Sequence, residues 1–195
     1  MGRPSMAAER IEQIMQATGH CLRKNGLAGT TLERVSEESG LSRSHVRHYV
    51  GNRDDLLRKF AGWLYTGYQA EFIDRVAAAP QREKLAMTMD YLFSTGFLPI
   101  SDDDTVIREL ITAGVADESI RATLQGHYTR AIQTVEDAIA AEHPGAPAGA
   151  RRSVAYGLWC LAMGNSMMAE LQLPVASGGL VRTAAEGMLE KFNHG

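Results

Sequence analysis

Arginine, histidine and serine crowd one short stretch of this chain. Arg43, Ser44, His45, Arg47 and His48 stand together, with no Asp or Glu between Arg43 and Asn52. Donors gathered this way suit phosphate oxygens and the acceptor edges of bases. Arg43 and His45, at the head of the stretch, can reach base edges or the adjacent phosphates. An arginine bidentate on guanine is worth ~1–3 kcal/mol of discrimination. Ser44 and Arg47 are further readers, although Arg47 could instead form an incidental surface pair with Glu37 or Glu38. Thr31 offers a hydroxyl, and Arg53 sits where the next helix starts, a favourable place for a phosphate. Arg3, inside the extended basic tripeptide Gly2-Arg3-Pro4, can lie in a minor groove.

Other chemistries find little support. The sequence holds no phosphate-binding glycine loop, no dinucleotide fingerprint and no G-x-S-x-G elbow, so no catalytic residue is expected and the chain is not read as an enzyme. His45 and His48 have a spacing that could bind a metal, but no third ligand accompanies them. Asp102, Asp103 and Asp104 lack the other ligand positions of a calcium loop and suit a solvated helix start. Neither a metal nor a cofactor is expected.

The elements that must position these donors can be read around them. Thr31 is a good N-cap for a helix whose Leu32, Val35 and Ser39 share one face. Gly40 can take the left-handed conformation that ends that helix. Leu41 fills the corner, and Ser42 caps a second helix that turns Val46 and either Tyr49 or Val50 inward. The polar residues are left outside. Two helices joined by a glycine turn, the second with a donor-rich outer face, form a helix-turn-helix suited to a major groove.

The run GLSRSHVRHYVGNRDDLL, residues 40–57, also resembles the DNA-binding signature of the tetracycline-repressor (TetR) family of bacterial regulators. Gly40, Leu41, Ser42, Tyr49, Arg53, Asp54, Asp55, Leu56 and Leu57 match that pattern in order. Arg47 departs from the family's usual Tyr, Val50 from its usual Phe, and His45 stands where Thr is frequent. These three departures lie on the reading helix itself. The resemblance implies that Tyr49, with His48 beside it, holds phosphates. It is specific over the first 60 residues and extends beyond them only as a general helical layout.

Charge is uneven along the 195 residues: 1–60 carry a net of +3 and the remainder −6. A chain with a net of −3 is a poor sequence-independent coat for DNA, but it suits one local basic face on a larger body. Cys21 and Cys160 sit far apart in apolar helical patterns, so buried thiols in a reducing compartment are expected. No secretory signal follows Met1. The expected location is the bacterial cytosol, with nucleoid association when bound to DNA.

Helical periodicity runs through the rest. A first helix spans about 7–25, with Ile11, Ile14, Met15, Thr18, Cys21 and Leu22 as its stripe and Gly26 as terminator. Together with the helix-turn-helix it makes a small core of Ile11, Ile14, Met15, Leu22, Leu32, Val35, Leu41, Val46 and Tyr49. A long helix over about 53–79, stopped by Pro80, carries Leu56, Leu57, Phe60, Leu64, Tyr68, Phe72 and Val76 and predicts a stiff joint able to transmit movement. Helices follow at 82–96, after Asp102–Asp104 with Val106, Leu110 and Ile111 inward, and at 117–142, 150–172 and 178–193. Residues 153–169 hold no charge. That is short of the ~20 apolar residues of a membrane span, so this helix should be buried on one side by its own body and on the other by a second subunit.

The expected architecture is therefore all-α, about nine helices. A three-helix DNA-binding head (1-52) is joined by a long helix to an effector-binding and dimerisation body (53-195). The expected function is a transcriptional repressor that binds a near-palindromic operator as a homodimer through helices 150–172 and 178–193. A small, mainly apolar or aromatic effector would release it. Tyr91, Phe93, His127, Tyr128, Trp159, Met163 and Asn165 are the candidate pocket residues, each also suited to a plain core role. A regulator without an effector, or controlled by a protein partner, would share this fold. A helical-bundle enzyme or carrier would leave the outer face of 43–48 without a task.

Overall fold

The computed structural model describes residues 6–94, 97, 103–173 and 178–192. Among them every regular element is helical. The order is α1 (Met6–Gly29), α2 (Leu32–Ser39), α3 (Arg43–Val50), α4 (Arg53–Tyr68), a π-helical stretch Gln69–Asp74, α5 (Arg75–Ala78), α6 (Lys84–Phe93), α7 (Asp103–Ala116), α8 (Glu118–Glu142), α9 (Ala148–Glu170) and α10 (Gly178–Leu189). The all-α expectation holds. None of the described helices is long and apolar enough to cross a membrane.

The helices form two compact units. One comprises Met1–Gly67 with Asp102–Gly126, the other Tyr68–Ser101 with His127–Gly195. Packing thus groups α7 and the start of α8 with the N-terminal helices. The reason is local: the backbone N–H of Leu27 donates to Oε2 of Glu109 at 2.5 Å. The Arg58 guanidinium donates through Nε and Nη2 to Oδ2 of Asp117 at 3.1 and 2.9 Å. The other oxygen of Asp117 accepts from the N–H groups of Ser119 and Ile120, capping α8. Those helix-start hydrogen bonds, helped by Arg58, hold the Asp117 carboxyl below its ordinary range.

In the first unit the core is Ile14, Met15, Leu22, Val35, Val46, Val50, Leu56 and Phe60, all essentially inaccessible. Helix α1 runs close to α4, so a Cβ on Gly19 would touch the Phe60 ring at 3.5 Å. Gly26 breaks α1 with φ 65°, as its place after Asn25 predicted. Ile11, expected inside, is 40% exposed. It precedes the point where α1 meets its neighbours, so the buried stripe starts at Ile14. Ile111 is likewise turned outward, whereas Val106 and Leu110 face in. Leu41 and Tyr49 are only half-buried, and Val50 fills the inward position at the end of α3.

The connector is one helical path from Arg53 to Ala78, but not one regular α-helix. The hydrogen-bond ladder loosens to π geometry over Gln69–Asp74. This stretch lies inside the second unit, which begins at Tyr68. Helicity ends before Pro80, with Ala79 extended at ψ 152° as a residue preceding proline must be. The side chain of Tyr68 lies outside the described residues, as do Gly96, Asp102 and the side chains of Asp103 and Asp104. Leu64 is half-buried; Leu56, Leu57, Phe60, Phe72 and Val76 are buried as the stripe required.

In the second unit α6, α8, α9 and α10 enclose Leu85, Met89, Leu92, Val135, Ile139, Leu158 and Leu189. Helices α9 and α10 approach closely at Gly157, where the methyl end of Met188 occupies the space a side chain would need. Arg182 ties α10 to α6 through Asp90 at 2.7 Å. Cys21 is buried, and burial raises its thiol pKa. Cys160 is exposed on α9, contrary to expectation, because the helix turns Leu158, Trp159 and Ala162 inward instead.

Asn52 and Asp55 cap the start of α4 reciprocally. Asn52 Oδ1 accepts from the Asp55 N–H at 2.9 Å, and Asp55 Oδ2 accepts from the Asn52 N–H at 3.1 Å. Asn52→Ala should therefore cost about 1 kcal/mol in urea unfolding.

Candidate nucleic-acid interface

Helix α3 is held at both ends and along one face. Ser42 Oγ accepts from the His45 N–H at 3.3 Å, and the Gly51 N–H closes the far end on the Arg47 carbonyl at 2.9 Å. The preceding turn depends on Gly40 at φ 66°, a conformation other residues avoid, and on the Ser36 hydroxyl donating to the Leu41 carbonyl at 2.7 Å. Val46 and Val50 anchor the inner face. Those two anchors fix which residues point out: Arg43, Ser44, His45, Arg47 and His48 are all exposed. Tyr49 is half-buried with its ring edge-on to His48 at 5.2 Å. Its carbonyl accepts from the Lys59 ammonium at 2.9 Å.

Thr31 caps α2 as expected, its hydroxyl oxygen accepting from the Arg34 N–H at 3.3 Å. It remains partly exposed. Arg53, at the start of α4, is engaged within the protein while its side chain stays 37% exposed. Its Nε donates to the Thr30 carbonyl at 2.8 Å and its Nη2 to the Leu27 carbonyl. The guanidinium thus bridges the last turn of α1 and the start of the α1–α2 loop, where the Leu27 carbonyl also accepts from the Thr30 N–H at 3.3 Å. Arg53 thereby positions the loop before Thr31. Arg3 lies outside the described residues. Sequence reasoning missed Glu33, whose Oε1 meets Arg43 Nε at 2.8 Å. Nothing in the spacing of 33 and 43 signals a contact across the turn.

The pocket candidates sit in the second unit, mostly as packed core. Phe93, His127 and Trp159 are buried; Tyr128, Met163 and Asn165 are half-buried. Tyr128 and Phe97 both lie edge-on to Trp159, at 6.0 and 6.1 Å. Tyr91 lines a cavity of about 290 Å³ with Glu71, Phe72, Arg75, Val76, Met87 and Asp90. Its ring stacks on Phe72 at 4.4 Å. Burial, and then the nearby Glu71 carboxylate, push the Tyr91 hydroxyl up to about 12, so it stays a neutral donor. The other lining residues were missed because the two turns of helix that supply them are separated in sequence by the break at Pro80. Among the described residues no group of His, Cys, Asp and Glu is placed to hold a metal.

The outward donor face of α3 can be set against known proteins. No family model matches the chain. A regulator of transcription named BetI, from Paraburkholderia phytofirmans, is 39% identical over 57 residues, 29% of each chain. The matched part is thus well under a third of that relative's length. A TetR transcription regulator from Haloarcula marismortui superposes with a TM-score of 0.79 at 21% identity, covering 94% of this chain and 97% of its own. The chain has the TetR-family fold. A transcriptional regulator from Saccharomonospora viridis, solved in complex with choline, shares this TetR fold with a TM-score of 0.76 at 16% identity, over 93% of this chain and 96% of its own. The resemblance seen at Gly40–Leu57 and the all-α layout therefore hold together. The BetI relative and both solved neighbours are regulators rather than enzymes.

Within the TetR-fold body, His127 makes a pH test. Burial, and then Arg130, lower its pKa from 6.5 to about 4. The native state therefore resists the proton that the unfolded chain accepts. Stability from the neutral ring is complete above pH 6.5 and is lost as pH falls toward 4. Replacing His127 with Gln should flatten the stability–pH curve in that window, by an amount on the order of 1–3 kcal/mol between its ends.

Proposed function

We propose that the chain is a DNA-binding transcriptional regulator that represses from a near-palindromic operator as a homodimer. The observation that carries this is the outward face of α3, which is rich in donors, free of acids and fixed by two buried valines. Arg43, Ser44, His45 and Arg47 are assigned to base edges and nearby phosphates, and Thr31, His48 and Tyr49 to the backbone. DNA reading belongs to 1-52. Effector binding and dimerisation belong to 53-195, although α7 packs with the head.

The dimer is assigned to α9 and α10. Tyr156, Cys160 and Met167 form an exposed, uncharged stripe on α9 that continues to Leu171 just past its end, and Leu180 is exposed on α10. Large apolar side chains left in water on two adjacent helices are a poor free surface and a good isologous interface. Two such subunits would offer recognition helices to half-sites about 34–36 Å apart.

The effector is assigned to the cavity at Tyr91. The stacked Tyr91 and Phe72 rings favour a small, mainly apolar or aromatic molecule, and the Glu71 carboxylate beside them admits a cationic head. Choline, held by the Saccharomonospora viridis neighbour, is the first compound to try.

Three measurements test these assignments. Selection from random duplexes should enrich a palindrome, and failure to enrich any sequence would refute the DNA assignment. Met167→Glu with Leu180→Glu should leave a monomer by sedimentation and lower operator affinity at least tenfold, since only one half-site can then be held. A dimer that survives both charges would place the interface elsewhere. An effector that binds at Tyr91 must weaken operator binding by the same factor by which operator weakens its own binding. A bound ligand with no effect on operator affinity would separate the cavity from regulation.

A further inference from the structure

The contact between Glu33 and Arg43 joins the two helices of the DNA-reading motif at the very face assigned to DNA. Glu33 lies in the first turn of α2, two residues after its cap Thr31. Hydrogen bonding to its own backbone N–H, with Arg43 and the Thr31 hydroxyl nearby, holds its carboxyl below the ordinary range. Oε1 meets Nε of Arg43, the first residue of α3, at 2.8 Å. Both side chains remain more than half exposed, 62% for Arg43 and 52% for Glu33.

An ion pair so exposed adds little to folding. Its consequence lies in what it does to the arginine. A free guanidinium on its flexible stem can swing to any phosphate within reach, and each such contact strengthens binding to all sequences alike. Nε held by a carboxylate removes that freedom. It leaves the two Nη nitrogens end-on, the geometry that matches the paired O6 and N7 acceptors of guanine. The pair is also neutral overall, so Arg43 contributes little to the general attraction of the head for DNA. When a groove covers the pair, water leaves and the contact stiffens.

We propose that Glu33 is a specificity-determining residue of the DNA interface: by holding Nε of Arg43 it commits that arginine to a guanine edge and withholds it from phosphates. This rests on the DNA-binding function proposed above. Glu33 itself is a positioning residue, acting through Arg43.

The test uses the full-length protein and the sequence it selects from random duplexes. Wild type, Glu33→Gln, Glu33→Ala, Arg43→Ala and the double variant Glu33→Ala with Arg43→Ala are titrated with three kinds of duplex at two salt concentrations. These are the operator, the operator with each guanine changed in turn, and a scrambled sequence. Glu33→Gln and Glu33→Ala should bind the scrambled duplex about threefold or more tightly. Both should lose about tenfold of discrimination at one G·C pair, the same pair at which Arg43→Ala loses it. The salt slope on scrambled DNA should steepen by about one. The double variant should discriminate no worse than Arg43→Ala alone. Glu33→Gln keeps the side-chain volume, so the comparison survives if Glu33→Ala folds poorly. Equal gains on operator and scrambled DNA with every base preference intact would overturn the inference alone. So would a Glu33 effect that persists in the Arg43→Ala background. A wild-type protein that enriches no sequence would overturn the DNA function and this inference with it.

Discussion

Helix α3 is eight residues long, too short to persist in water on its own. Everything that gives it a definite outer face comes from elsewhere in the first unit. Val46 and Val50 seat it on the core, Ser42 and Gly51 close its ends, and Gly40 sets its angle to α2 through a left-handed turn. Arg53 adds a strut from the start of α4 to the carbonyls of the loop before Thr31. Because the anchors are β-branched and fully buried, the helix cannot rotate without exposing one of them. The donors of Arg43, Ser44, His45, Arg47 and His48 are therefore presented as a fixed set.

That rigidity has a counterpart in α7. Glu109 and Asp117 accept hydrogen bonds from Leu27 and Arg58 and fasten two segments distant in sequence onto the N-terminal helices. A bundle of three short helices buries little apolar surface. The additional helices enlarge the core on which α3 rests. The second unit solves a different problem: it closes its own core of Leu85, Met89, Val135, Ile139 and Leu158, yet leaves a row of uncharged side chains on α9 outside it. A helix without charge from Ser153 to Ala169, buried on one side only, is the physical basis for assigning its other side to a second subunit.

Much of the first unit was legible because its signals are local. Caps, a left-handed glycine and helical spacing act within a few residues, and Thr31, Gly40 and Ser42 do what their types imply. What escaped depends on contacts across the chain. The hydrogen bonds of Arg53 to the Thr30 and Leu27 carbonyls, 23 and 26 residues earlier, are not signalled by its position at a helix start. Glu33 reaches Arg43 across a turn whose geometry no spacing rule encodes. The π stretch at Gln69–Asp74 is invisible to a periodicity that only distinguishes apolar from polar. In the second unit the aromatic residues were found but not their arrangement: Phe93 and Trp159 are buried in the core, whereas Tyr91 reaches a cavity. Tertiary packing, not residue type, decides between those roles.

On the proposed function, the outer face of α3 enters the major groove of a specific sequence. Placing a short photo-crosslinker at position 44 tests it most directly, through Ser44→Cys in a Cys160→Ser background so that the exposed thiol of α9 does not react. Crosslinks to bases within each operator half-site, suppressed by excess unlabelled operator, are the expected result. Strong operator binding with no crosslink from position 44 would contradict it.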